Sequence, residues 1–216
     1  MREESLRTGP DDIWPEATRV EEWSDPAIQV ALFPDWPSYH PALIARALEL
    51  EKDPHFTKNY EGAIGSSKVF DLDRWNCPEA DLVHARAITL FKRTIGTDKA
   101  AVDLSWASLY RHGDYCMPHS HRRALASVVY FLDLGDGPTQ GFGAGTFCFA
   151  DPRLKVCCQD EPGRVTTPCG PTMHPGMMII FPGQLVHFVD RYLGTRERIT
   201  LAWNINETPA SGPAPR

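Results

Sequence analysis

The hydrophobic period of this chain changes near residue 100, and that change limits the fold more than any other feature. Upstream, apolar residues recur at helical spacing. Leu43, Ala47 and Leu50, flanked by Ile44 and Leu48, mark one helical face, and Pro41 suits a first helical position. A second helix follows Asp71-Leu-Asp-Arg-Trp75 and runs from about Pro78 to Ile95. Val83, Ala87, Leu90, Phe91 and Ile95 form its stripe, and Gly96 is its stop. Downstream the period is two: Val102, Leu104, Trp106, Ser108 and Tyr110 fall on one side of an alternating run. Further short strands are predicted at about 125–134, 145–150, 177–181, 186–192 and 198–205. Turn-rich segments separate them, notably Gly135-Asp-Gly-Pro138 and Gly141-Phe-Gly-Ala-Gly145. Helices first and strands afterwards predict an α+β fold, a β-barrel or sandwich braced by N-terminal helices.

The 216 residues suffice for one domain with a sizeable core. Residues 1–27 are polar, acidic and interrupted by Pro10, Pro15 and Pro26. They read as an arm that wraps the domain or is partly disordered, with Trp14 and Trp23 as anchors. The domain proper is expected over 28–206, helical to about residue 99 and a barrel from about 100. Residues 207–216 read as a disordered tail. A net charge of −6 without any basic stripe excludes nucleic acid and an anionic membrane as expected partners. The N-terminus lacks the apolar run of a secretory signal, and no stretch approaches the ~20 apolar residues of a membrane span. The expected compartment is therefore the cytoplasm. Cys77, Cys116, Cys148, Cys157, Cys158 and Cys169 contain no C-x-x-C pair, so they are read as reduced thiols rather than zinc ligands.

The chemistry concentrates on histidines. His119-Ser-His121 directly precedes a predicted strand, and on extended backbone residues i and i+2 point the same way. His187 opens another strand just after the turn Pro182-Gly183. Three imidazoles from two adjacent strand ends can form one face of an octahedron, leaving positions open for oxygen and a cosubstrate. Spacing alone equally admits an exposed histidine pair and a loop histidine satisfied by its neighbours. His112 and His174 lie in turns near these segments, and Asp114, Arg122, Arg123 and Arg153 are expected on the solvated surface.

The flanking residues carry a resemblance. Tyr110-Arg-His-Gly-Asp-Tyr115-Cys-Met-Pro-His119-Ser-His121 is similar to the segment leading into the metal motif of the 2-oxoglutarate- and Fe(II)-dependent oxygenases. His121-Arg-Arg-Ala-Leu-Ala-Ser127-Val-Val-Tyr130 resembles a bacterial branch of that superfamily that carries H-x-H with a serine six residues on. The stretch Pro175-Gly176-Met-Met-Ile-Ile-Phe181-Pro182-Gly-Gln-Leu-Val-His187, followed by Arg198-Ile-Thr200-Leu-Ala-Trp-Asn204, resembles that branch most specifically. The resemblance covers roughly residues 100–206.

It implies a double-stranded β-helix, a jelly-roll or cupin-like barrel, that oxidises C–H bonds with Fe(II), 2-oxoglutarate and O2. Its metal ligands would be His119, His121 and His187. Arg198, with its planar fork of donors, would hold the distal carboxylate of 2-oxoglutarate beside Thr200 and Tyr110. Tyr115, Ser127, Tyr130 and Asn204 are further candidates for contacts with substrate or with the ligands. One departure matters. Most of the superfamily has Asp or Glu where His121 stands, so His121 is either a third ligand or points aside and leaves its place to water. The expected reaction is hydroxylation, or a related C–H oxidation, of a small-molecule or amino-acid-like substrate, and a homodimer is compatible with the sequence. The competing expectations are a cupin-type dioxygenase or isomerase that needs no 2-oxoglutarate, and a binding domain without a working site. Arg198 discriminates the first of these.

Overall fold

Two antiparallel sheets face each other and enclose the candidate histidines between them. The computed structural model of the chain describes residues 28–58, 66–138, 141, 143–151, 154 and 168–209. The expected N-terminal arm, most of the tail, Cys157, Cys158 and Arg153 lie outside the described residues. The strands are β1 (Gln29–Leu32), β2 (Thr57–Lys58), β3 (Ser67–Phe70), β4 (Ala101–Tyr110) and β5 (Cys116–His119). They continue with β6 (Ala126–Asp133), β7 (Phe147–Phe149), β8 (Met177–Pro182), β9 (His187–Val189) and β10 (Arg198–Asn206). The large sheet has the order β1-β8-β6-β10-β4-β3-β2, and the small one β5-β9-β7. This is the jelly-roll-like arrangement expected from the sequence.

The helices α1 (His40–Leu50) and α2 (Pro78–Ile95) cover the outer face of the large sheet. In α1 the buried positions are His40, Leu43, Ala47 and Leu50, which is the predicted stripe. In α2, Val83, Ala87 and Phe91 are buried, whereas Ile95 at the last turn reaches solvent. Acidic Glu79 and Asp81 in the first turn and basic Lys92 and Arg93 in the last complement the helix dipole. Gly96 ends α2 in the left-handed region at φ 76°, where a residue without Cβ is favoured.

Alternation divides the large sheet into two faces. Along β10, Ile199, Leu201, Trp203 and Ile205 pack toward the helices, and Ala202 joins the apolar cluster between the sheets. Along β6, Val128, Tyr130 and Leu132 lie with the helices, and Val129 and Phe131 lie between the sheets. Residue 102 departs from the predicted phase. The pairing of β10 with β4 slips between Asn204 and Ile205, so that Ile205 faces Val102, and Val102 packs on the helix side. A bulge adds one residue to a strand and reverses the facing of the residues beyond it.

Candidate active site

His119 is the last residue of β5, His121 sits in the turn that follows, and His187 opens β9 directly opposite His119. The ring centroids are 4.4 Å apart for His119 and His187, 5.0 Å for His119 and His121, and 5.1 Å for His121 and His187. One nitrogen from each lies within 4.8 Å of the others. Facial donors around a metal bound at about 2.1 Å stand about 3 Å apart, so modest ring rotation closes the triad on one ion.

The backbone prepares two of the three rings for this. His119 Nδ1 lies 2.7 Å from the Met117 carbonyl, and His187 Nδ1 lies 2.8 Å from the Leu185 carbonyl. A carbonyl only accepts, so both Nδ1 atoms carry the proton and both Nε2 lone pairs are free. Burial, followed by the neighbouring His119, pulls His187 down to about 3 and His121 down to about 4, which keeps both rings neutral. For His119, burial is more than offset by the Cys116 thiol and the Met117 carbonyl, and its value stands above the ordinary one. Phe181 and Phe147 flank His187 at 4.7 and 5.7 Å, and Trp106 flanks His121 at 5.9 Å.

His121 is held differently. The Asn204 side-chain nitrogen meets its Nδ1 at 3.2 Å, and the Asn204 oxygen accepts the Ser127 hydroxyl at 3.0 Å. Sequence reasoning singled out Ser127 and Asn204, and the fold brings both to the histidines, because β6 and β10 pair with these two residues opposite each other.

Arg198 is fully buried, and its Nη2 donates to the Met173 sulfur at 3.4 Å. Its Nε and Nη1 have no partner among the described residues. Its guanidinium lies 5.1 Å from the Tyr110 ring centroid and 5.9 Å from that of Phe131. Two unmet donors on a buried cation are costly, and an anionic ligand reaching the guanidinium supplies the acceptors it lacks. The cosubstrate that the resemblance implies therefore fits the donors present. Gly145 makes room for the arginine: a Cβ there would stand 2.8 Å from Arg198 Cδ.

Between the sheets lies a recess partly open to solvent. Its lining includes the three histidines, Tyr110, Thr200 and Ser127, and an apolar wall of Trp106, Val129, Phe147, Phe181 and Ala202. Lys68 and Cys116 line it too. Lys68 carries no motif and was not legible in the sequence. Its position opposite Ser108 depends on the β3–β4 register, which only the pairing reveals.

Other candidates lie elsewhere. Tyr130 projects to the helix side of β6, where its hydroxyl meets Tyr39 at 2.7 Å and His40 at 2.6 Å. The expectation of a site role for Tyr130 is thereby corrected: residues of even number on this strand face away from the histidines. Tyr115 packs under the Arg191 guanidinium, 5.8 Å from its ring centroid, and is not among the residues lining the recess. His112 and His174 are exposed in turns, as are Arg122 and Arg123 beside the metal motif.

The sheets and the cluster together define a jelly-roll protein with a histidine triad and a separate buried arginine, the outline of a non-haem metal oxygenase. Residues 104–204 match the model of the family described as "Putative 2OG-Fe(II) oxygenase". That segment contains all three histidines and Arg198, and over it the chain is similar to the 2-oxoglutarate- and Fe(II)-dependent oxygenases, a family that needs Fe(II), 2-oxoglutarate and O2. No curated protein matches the sequence. Among solved structures, a Pseudomonas putida prolyl-4-hydroxylase is similar with 19% identity and a TM-score of 0.56. The similarity covers 83% of this chain and 91% of that one. EctD from S. alaskensis has 16% identity and a TM-score of 0.61 over 84% and 73% of the two chains. HygX from Streptomyces hygroscopicus, solved with nickel, 2-oxoglutarate and hygromycin B bound, has 13% identity and a TM-score of 0.62 over 85% and 84%. At these identities the structures establish the shared fold.

Proposed function

We propose that this oxygenase binds iron through His119, His121 and His187 and couples decarboxylation of 2-oxoglutarate to hydroxylation of a small organic molecule in the recess. Bound iron supplies the oxidising chemistry; the protein supplies everything that places and protects it. The observation that carries the reading is Arg198, a buried cation with two unmet donors on the sheet that faces the histidines. Tyr110 lies directly opposite Arg198 in the β4–β10 register, and Thr200 follows on the same face. Together they form a cradle for the distal carboxylate, whose other end reaches toward the histidines. Phe147, Phe181, Val129 and Ala202 keep the recess apolar and limit water at the reacting carbon.

A cupin-type enzyme without 2-oxoglutarate would leave Arg198 without a task. The cytoplasm belongs to the same proposal. Cys77 and Cys116 are thiols rather than disulfides, as a reducing compartment favours.

The test is succinate formation by purified protein supplied with Fe(II), 2-oxoglutarate and ascorbate, together with anaerobic titration of the visible charge-transfer band. Arg198→Met should weaken 2-oxoglutarate binding by roughly 10–100-fold, the loss expected for one charge-assisted pair. Absence of both succinate and the band in the wild-type protein would overturn the proposal.

A further inference from the structure

Lys68 is the second cation of this site. Its Nζ donates to Ser108 Oγ at 2.6 Å and lies 5.9 Å from the Trp106 ring centroid and 5.8 Å from that of Tyr110. No salt bridge of Lys68 with a described carboxylate is present, so an aromatic box and one hydroxyl hold the ammonium at the wall of the recess. Burial pulls it down to about 8, which leaves it protonated at neutral pH.

Lys68 lines the recess, whereas Arg198 lies outside its lining, next to Tyr110. In the sheet, Lys68 pairs with Ser108, and Ser108 with Thr200, whereas Arg198 pairs with Tyr110, two residues farther along β4. The Tyr110 ring neighbours both cations, its centroid 5.8 Å from Lys68 Nζ and 5.1 Å from Arg198 Cζ. The charge of Lys68 is felt at His119, His121 and Cys116. That of Arg198 is felt at Tyr110 and Lys68. Lys68 lines the recess together with His119, His121 and His187, so it sits on the histidine side, where a substrate carbon would have to be.

Charge balance points the same way. All three proposed ligands are neutral imidazoles, because His121 replaces a carboxylate. With divalent iron, Arg198 and Lys68 in place, a 2-oxoglutarate dianion still leaves two positive charges uncompensated in a largely apolar recess. A buried net charge of that sign favours an anionic guest.

We propose that Lys68, with Ser108, forms a carboxylate-binding subsite for the organic substrate, so that the substrate is a small organic acid anchored by its carboxylate. The proposal rests on the functional reading above. The same chemistry could be met by the distal carboxylate of 2-oxoglutarate, and the experiment separates the two sources.

Full-length protein loaded with Zn(II) and saturated with 2-oxoglutarate is titrated calorimetrically with hexanoate and, separately, with hexanamide. Hexanoate should bind saturably, and hexanamide roughly 10–100-fold more weakly. Lys68→Met should lose hexanoate binding by a similar factor, keep its affinity for 2-oxoglutarate, and regain part of the hexanoate affinity as Lys68→Arg. No saturable hexanoate binding to the wild type, or unchanged binding to Lys68→Met, would overturn the proposal. So would a comparable loss of 2-oxoglutarate affinity in Lys68→Met, which would assign the lysine to the cosubstrate. The hexanoate and hexanamide comparison uses wild-type protein and stands even where a variant fails to fold. Failure of 2-oxoglutarate to bind the wild type would instead overturn the functional reading. Hexanoate binding to the Zn(II) form alone would still report on Lys68.

Discussion

The Asn204 side chain touches Ser127 and His121 at once, and its amide can lie either way round with the same heavy-atom distances. With the nitrogen toward His121, Nδ1 accepts and the proton sits on Nε2, which then has no lone pair for a metal. With the amide turned over, Nδ1–H donates to the Asn204 oxygen and Nε2 is free. Metal binding at His121 selects the second arrangement. Asn204→Leu removes this support and should weaken metal binding by roughly 10–100-fold in a Co(II) titration, the range for lost partners of histidine ligands. Asn204→Asp, which only accepts, should restore it. Equal affinity in all three proteins would show that His121 is not held in this way. At Gly145 the backbone has φ 63° and a Cβ would press on Arg198 Cδ. Gly145→Ala should therefore weaken 2-oxoglutarate about tenfold, through the displaced guanidinium, with metal affinity retained.

β10 joins the two halves of the molecule, because its alternate residues serve different purposes. Ile199, Leu201 and Trp203 bind the helices to the sheet, and the Trp203 indole donates to His84 at 3.1 Å. Arg198, Thr200 and Asn204, on the opposite face, belong to the site. The faces are chemically separate, so damage on one should leave the other working. Leu43→Ala in α1 removes a fully buried side chain from the helix-side core and should cost about 2–5 kcal/mol in urea unfolding, with unchanged 2-oxoglutarate affinity. The helices and β4, β6, β8 and β10 were legible because each is long enough to show its period, and the three-residue β7 and β9 because a glycine-bearing turn, Gly141–Gly145 and Pro182-Gly183, precedes each. The strands β1, β2, β3 and β5 were not. They have four residues or fewer, and partner strands rather than local pattern define them.

At the scale of the whole molecule, a hydrogen-bonded line runs from Arg86 through Tyr39 and Tyr130 to His40, at 2.9, 2.7 and 2.6 Å. The arginine can only donate, so each hydroxyl can pass its proton onward, and neutral His40 accepts at the end. Burial holds His40 down to about 4, below its ordinary 6.5. The unfolded chain therefore binds the extra proton first. Stability from this group is full above pH 6.5, falls as pH drops, and is gone near pH 4, a loss of about 3 kcal/mol. His40→Gln, which accepts but does not titrate, should flatten that part of the dependence of Tm on pH. Metal removal acts through mass action: a chelator should lower Tm by several degrees, since ligand at a hundred times its Kd contributes about 2.7 kcal/mol. By itself the sequence determined the helices, the alternating barrel strands, the histidine triad and Arg198, because local period and local motif encode them. The tertiary structure alone decided which face Tyr130 serves, how Asn204 meets His121, and that Lys68 enters the recess. Those depend on strand order and register, which bring together residues with no fixed spacing along the chain.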